Sequence, residues 1–158
     1  MKLDINNIRY LVVHCSATKL SDGWDAARID KSHKQRGWDS IGYHWVILPD
    51  GKIEHGRQLD TVGAHAYGVN MKSWGVCLIG GLDEDGDITE GQLPTDAQAK
   101  SLQTIVDLSQ SMVSNIVVLG HRDLSPDLNG DGIISKQEWV KNCPCFDVTT
   151  WLNNNEKG

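Results

Sequence analysis

IRYLVVHC, residues 8–15, is a run of β-branched and apolar side chains that predicts a central strand. Successive side chains of a strand point to opposite faces, so Tyr10, Val12 and His14 share one face and Cys15 turns to the other. With His14 aimed into a site, Cys15 is expected in the core as a small hydrophobe and is not assigned as a ligand.

Strand and helix signals alternate outward from this run. SATKLSDG is a loop rich in turn residues, and residues 25–36 read as a helix with Ala26, Ile29 and His33 on one side and Gly37 at its C-terminal cap. IGYHWVILPDGKIEHGR has two apolar runs around Pro49-Asp50-Gly51 and predicts a hairpin. Alternation puts Tyr43, Trp45 and Ile47 on one face and His44 and Val46 on the other, so Tyr43 and His44 are not expected to line the same cavity. AHAYGVNMKS, carrying His65 and Asn70, reads as a loop walling a site, and SWGVCLIGG after it as a buried strand.

Pro94 and the capping-box pattern Thr95-Asp96-Ala97-Gln98 open the clearest helix, with Leu102, Ile105, Val106 and Met112 on one face. IVVLG, residues 116–120, is the next strand, and His121 stands just past its end, where α/β sheets tend to place functional groups. SKQEWVKN predicts a short helix and FDVTTWL the start of a last one. The expected architecture is a single α/β domain, residues 1–158, with a mixed central sheet of about five strands flanked by helices on both faces.

At 158 residues the chain can bury a core without disulfides. Its net charge of −6 and lack of any Lys/Arg run argue against nucleic-acid binding. The N-terminal MKLDINNIRYLVVHC has too short an apolar run for a signal peptide or membrane span, so synthesis in the cytoplasm as a soluble protein without a membrane anchor is expected. Four cysteines in that setting read as reduced thiols or ligands. Six tryptophans suggest large flat contact surfaces.

Residues 120–146, GHRDLSPDLNGDGIISKQEWVKNCPCF, hold two metal signatures. Within residues 127–138, Asp127, Asn129, Asp131, the Ile133 carbonyl, Ser135 and Glu138 match the ligand positions of a twelve-residue calcium loop, and the sixth position is glycine, Gly132. Residues 82–91 are also acidic, but counted from Asp83 their first glycine, Gly86, falls short of the sixth position, and a solvated loop is expected. The second signature is transition-metal chemistry, His121 followed by Lys141, Cys143 and Cys145; with His14 from the first strand, His121 and one of Cys143 or Cys145 would give the three protein ligands of a catalytic zinc ion.

In order and spacing, LVVHCSAT, IGYHWVILPDGKIEHGR, GAHAYGVNMKSWGVCLIGG, LGHRDLSPD and KNCPCFDV resemble the zinc-dependent N-acetylmuramoyl-L-alanine amidases of the type-2 amidase and peptidoglycan recognition protein superfamily, in the bacteriophage endolysin branch. The resemblance implies zinc ligation by His14, His121 and Cys143, the cysteine that immediately precedes proline. It also implies catalytic roles for Tyr43 and Lys141, with zinc acidifying water and polarising the scissile carbonyl, Lys141 holding charge on the oxyanion and Tyr43 bonding the attacking water. His65 and Asn70 would contact the muramyl peptide, and His33 and Arg36 would lie beside the groove or pack structurally. His44 and His55 read as structural or exposed.

The implied activity is cleavage of the amide between N-acetylmuramic acid and L-alanine in peptidoglycan, by a monomer that reaches the periplasm and wall through a separate membrane-disrupting factor. The alternative is a non-catalytic peptidoglycan-binding protein of the same fold. Members that only bind lose the zinc cysteine, whereas this chain keeps Cys143. The calcium-loop pattern at 127–138 is then an insertion between His121 and Cys143 that would tie down the segment delivering Lys141.

Overall fold

A computed structural model describes residues 1–157. Its strands are β1 (Tyr10–Cys15), β2 (Thr18–Lys19), β3 (Trp45–Ile47), β4 (Ile53–His55), β5 (Ser73–Leu78), β6 (Gly81–Leu82) and β7 (Val117–Gly120). Its helices are α1 (Ala26–Gln35), α2 (Asp96–Met112) and α3 (Val148–Glu156). Five strands form one sheet in the order β4-β3-β5-β1-β7, and β2 and β6 pair separately. Within this sheet the β3–β4 hairpin is antiparallel, while β3, β5, β1 and β7 run parallel. The expected mixed sheet with helices on both faces is borne out, and the strand at residues 8–15 lies inside it between β5 and β7.

Both faces are packed, as a sheet built mainly of parallel strands requires. On one face Leu11, Val13, Trp45, Ile47, Trp74, Val76 and Leu78 meet Leu102, Ile105 and Val106 of α2 and Val148 of α3. On the other, Val46, Cys77 and Ile79 meet Ile29 of α1. Fully burying a Leu, Ile or Val side chain contributes about 1.5–3 kcal/mol, so these two layers dominate the stability of the fold.

Local signals behave as their chemistry dictates. The Asp25 carboxylate accepts from the Arg28 N–H to start α1, and Gly37 takes the left-handed conformation just past its end at φ 88°. Thr95 and Gln98 form the expected reciprocal cap of α2. Gln98 also donates from Nε2 to the carbonyls of Ile47 (3.2 Å) and Ile79 (2.9 Å), tying the helix to the ends of β3 and β5.

Three expectations are corrected. Met112 is 40% exposed, because Val113 leaves the helix in an extended conformation and packs on the core in its stead. Residues 135–142 form no helix beyond the single turn Lys136–Glu138; Trp139 is extended, stacks on Arg122 at 3.8 Å, and sends the chain on toward Cys143. Tyr43 does not share a face with Trp45 and Ile47: β3 begins only at Trp45, so strand alternation does not reach back to it, and Tyr43 packs with Val46 and Cys77.

Candidate metal centre and cleft

His14 lies on the β1 face opposite Leu11, Val13 and Cys15, which are in the main core. β7 pairs in parallel with β1, Gly120 lying opposite Val13, so the chain delivers His121 beside His14 at the carboxyl edge of the sheet. Asp123 accepts from the Gly120 N–H at 2.8 Å and holds that turn. A side chain at position 120 would meet Cδ of Pro144 at 2.9 Å, so glycine there lets residues 143–145 pack against β7. Two backbone donors fix Cys143: the Arg122 N–H bonds its carbonyl at 2.8 Å and the Cys15 N–H its sulfur at 3.3 Å.

The three groups converge. Ligand atoms of His14, His121 and Cys143 all lie within 4.8 Å of one another, the only such His/Cys/Asp/Glu group among the described residues. His14 Nδ1 is 3.9 Å from Cys143 Sγ, and the His14 and His121 rings are 4.6 Å apart. Burial pushes the His14 pKa well down, with further lowering from His65, His121 and Lys141; burial and Lys141 also lower His121. Both imidazoles are therefore neutral near pH 7, the form that ligates a metal. The Cys15 side chain and burial raise the Cys143 thiol, the Cys15 N–H opposes them, and a cation placed there would reverse the net effect by binding the thiolate. Two imidazoles and a thiolate suit zinc and leave a fourth position for water.

Cys145 takes no part in this group. Its sulfur sits 3.0 Å from the Asn142 carbonyl and 3.8 Å from Cys15 Sγ. Both Cys15 and Cys145 are buried in the main core.

Around the centre is a cleft of about 870 Å³ lined by Tyr43, Lys141 and the three metal-site residues. The Tyr43 ring is 5.1 Å from that of His14, and burial raises its pKa well above the ordinary value, so the hydroxyl stays protonated. His33 and Arg36 line the wall formed by α1, as do Trp24 and Trp38 nearby. His44 is fully buried away from the cleft, so the expectation that it and Tyr43 do not share the cavity holds.

His65 reaches the cleft, but its polar atoms face inward. Nδ1 is 2.9 Å from His14 Nε2, and Nε2 is 3.3 Å from Ser73 Oγ. Asn70 stands off the cleft; its Oδ1 accepts from the His65 and Ala66 N–H groups and holds the loop. Sequence reasoning missed the belt beneath the far wall, where Arg122 stacks on Trp139 and bonds Asn142 Oδ1 (3.1 Å) and Glu90 Oε1 (3.5 Å). Glu90 comes from the otherwise solvated acidic loop.

In residues 127–138 the expected donors turn into the loop. Asp127 accepts from Gly130 and Gly132, Asn129 from Asp131, and Asp131 from Ile133. Glu138 accepts from the N–H groups of Leu128, Asn129 and Ser135 and from the Ser135 hydroxyl. Its carboxylate is thus engaged by the loop itself, and Asp127, Asp131 and Glu138 do not converge within 4.8 Å of one another.

The fold and site thus define an α/β protein with a His/His/Cys centre at the carboxyl edge of its sheet, open to a cleft. A family model described as N-acetylmuramoyl-L-alanine amidase matches residues 4–145, and the chain belongs to that family. It is 36% identical over 146 residues to the endolysin of Escherichia phage T7, covering 92% of this chain and 86% of that one. An uncharacterized Haemophilus influenzae protein is 45% identical over 107 residues, 68% of this chain and 90% of that one. Among solved structures, the endolysin amidase LysCS from Clostridium intestinale superposes with a TM-score of 0.73 at 26% identity, covering 99% of this chain and 89% of that one. A bumblebee peptidoglycan recognition protein, PGRP-SA, shares the fold at TM-score 0.73 and 23% identity, covering 97% of this chain and 84% of that one. The family and the endolysin branch expected from the ordered motifs are both borne out.

Proposed function

We propose that this protein is a phage-type endolysin that hydrolyses the amide between N-acetylmuramic acid and L-alanine of peptidoglycan, with zinc held by His14, His121 and Cys143. The convergence of those three ligand atoms in a cleft also lined by Tyr43 and Lys141 carries the reading. The bound ion supplies Lewis-acid chemistry, acidifying water and polarising a carbonyl. Lys141 places an ammonium where negative charge builds on the carbonyl oxygen, and Tyr43, held protonated, donates a hydrogen bond to the same centre. As water's oxygen bonds the carbonyl carbon, its proton passes to the amide nitrogen and the C–N bond breaks, leaving a carboxyl group on the sugar side while the stem peptide leaves by its L-alanine amine.

The lining suits such a substrate. In a chain of net charge −6, the cleft carries Arg36, Lys136 and Lys141 and, among the described residues, no Asp or Glu. A peptide rich in carboxylates is attracted to that rim, and Trp24, Trp38 and Trp139 offer flat faces to sugar rings. Among the described residues no helix is long and apolar enough to cross a membrane. The enzyme would act as a monomer on the wall after a separate factor opens the host membrane.

Purified sacculi treated with the wild type should release peptides beginning at L-alanine, identified by mass spectrometry, and Cys143→Ala should release none. Sugar-chain cleavage, or no release by the wild type, overturns the proposal.

A second reading concerns residues 127–138: calcium binds there, with Glu138 swinging from the Leu128 and Asn129 N–H groups onto the ion. Its support is the inward turn of Asp127, Asn129 and Asp131 around left-handed Gly130 and Gly132.

A further inference from the structure

We propose that His65 is a positioning residue that, together with Ser73, sets the tautomer of His14 and so presents its Nδ1 lone pair to the metal. The inference rests on the metal-site reading above and concerns residues outside the ligand set. Its premise is a directional chain of hydrogen bonds. Ser73 Oγ donates its one proton to the Val69 carbonyl at 2.8 Å, so toward His65 the hydroxyl can only accept. The 3.3 Å contact between Ser73 Oγ and His65 Nε2 therefore requires the proton on His65 Nε2. A neutral imidazole has one N–H, so His65 Nδ1 is an acceptor.

At 2.9 Å from that acceptor, His14 Nε2 must carry the proton, and His14 Nδ1 is left as a bare lone pair. That atom is the one facing Cys143 Sγ, at 3.9 Å. Reversing the chain at any point would put a proton on the nitrogen that is to ligate. Metal-binding histidines in general donate their second N–H to an acceptor that orients the ring; here the acceptor is another imidazole, itself fixed by a serine.

The sequence is shaped to hold His65 in this slot. A side chain at Gly75 of β5 would meet the His65 ring at 2.6 Å, and one at Gly63 would meet its Cδ2 at 2.6 Å. Asn70 anchors the His65 and Ala66 N–H groups, so the backbone is fixed as well as the ring. His65 is 8% exposed, which favours support over substrate contact.

Two measurements test the relay. On metal-free protein labelled with ¹⁵N-histidine, long-range proton–nitrogen correlation should find His14 with its proton on Nε2, and Ser73→Ala, which leaves both rings in place, should mix the tautomers. Competition with a chromogenic chelator should find zinc held about 10- to 100-fold more weakly by His65→Leu. His65→Asn, whose Oδ1 falls near the site of Nδ1, should restore most of that loss. Circular dichroism confirms that each variant is folded, and Ser73→Ala carries the test if His65→Leu is not. A metal-free wild type with the His14 proton on Nδ1, or a folded His65→Leu with unchanged zinc affinity, overturns the inference. A wild type that binds no zinc refutes the metal reading, while the tautomer measurement still decides the relay.

Discussion

His14 and Cys143 are 129 positions apart in the chain, and the fold brings Nδ1 of one to 3.9 Å from Sγ of the other. Cys145, only two positions on, has its sulfur against the Asn142 carbonyl instead. The two thiols should therefore separate cleanly in experiment. Cys143→Ser is expected to abolish stoichiometric zinc and peptide release, while Cys145→Ser retains both, as read by elemental analysis and sacculus digestion. Loss of zinc in Cys145→Ser alone would reassign the ligand.

Much of this was legible in sequence because the signals were local. The run at residues 8–15, the cap at Thr95 and Gln98 and the glycine after α1 each act through neighbouring backbone, and each forms as expected. Tyr43 was misplaced because alternation was extended past the first residue of β3. The short helix expected at 135–142 lost to a tertiary contact, the Trp139–Arg122 stack, which no local pattern encodes. The inward role of His65 depends on Ser73 and His14 from different strands, though its flanking glycines at 63 and 75 hinted at a tightly packed ring.

Lys141 and Tyr43 line the cleft without belonging to the ligand group, so their loss should spare the metal. Lys141→Ala is expected to lower kcat roughly 10²- to 10³-fold, the scale for removing one oxyanion donor. Tyr43→Phe should cost about 10²-fold or more if its hydroxyl moves or bonds a proton in the transition state. Zinc content should stay at the wild-type level in both. A Tyr43→Phe variant of full activity would return that residue to a packing role.

His44 is expected to make the metal-free protein acid-sensitive. Its Nδ1 accepts from the Gly75 N–H at 3.0 Å and its Nε2–H donates to the Thr61 carbonyl at 2.9 Å, so a second proton would break the first bond. Burial lowers its pKa from 6.5 to about 4. Between those values the unfolded chain takes up a proton that the folded one refuses. The contribution of neutral His44 is thus complete above pH 6.5, falls away as pH drops toward about 4, and amounts to something on the order of 3 kcal/mol across that window. Denaturant unfolding of zinc-free protein at stepped pH should show this decline, and His44→Gln should be weaker at pH 7 yet flatter below 6.5. Equal slopes for the two proteins would remove His44 as the cause.

Glu138 offers the sharpest test of residues 127–138, because it serves the loop in either of two ways. In the structure its carboxylate gathers three N–H groups and one hydroxyl, and those bonds lower its pKa, the backbone and hydroxyl of Ser135 most of all. If calcium binds, the same carboxylate becomes a bidentate ligand at the twelfth position and the Asp127 and Asp131 carboxylates lose their mutual repulsion. Adding calcium to chelator-treated wild type should then raise Tm and strengthen zinc retention, since the loop leads directly into Lys141 and Cys143. Glu138→Gln should lower the starting Tm and abolish the calcium-dependent rise together. A wild-type Tm indifferent to calcium, with Glu138→Gln still destabilised, would leave the loop a self-capped turn whose carboxylates serve its own backbone.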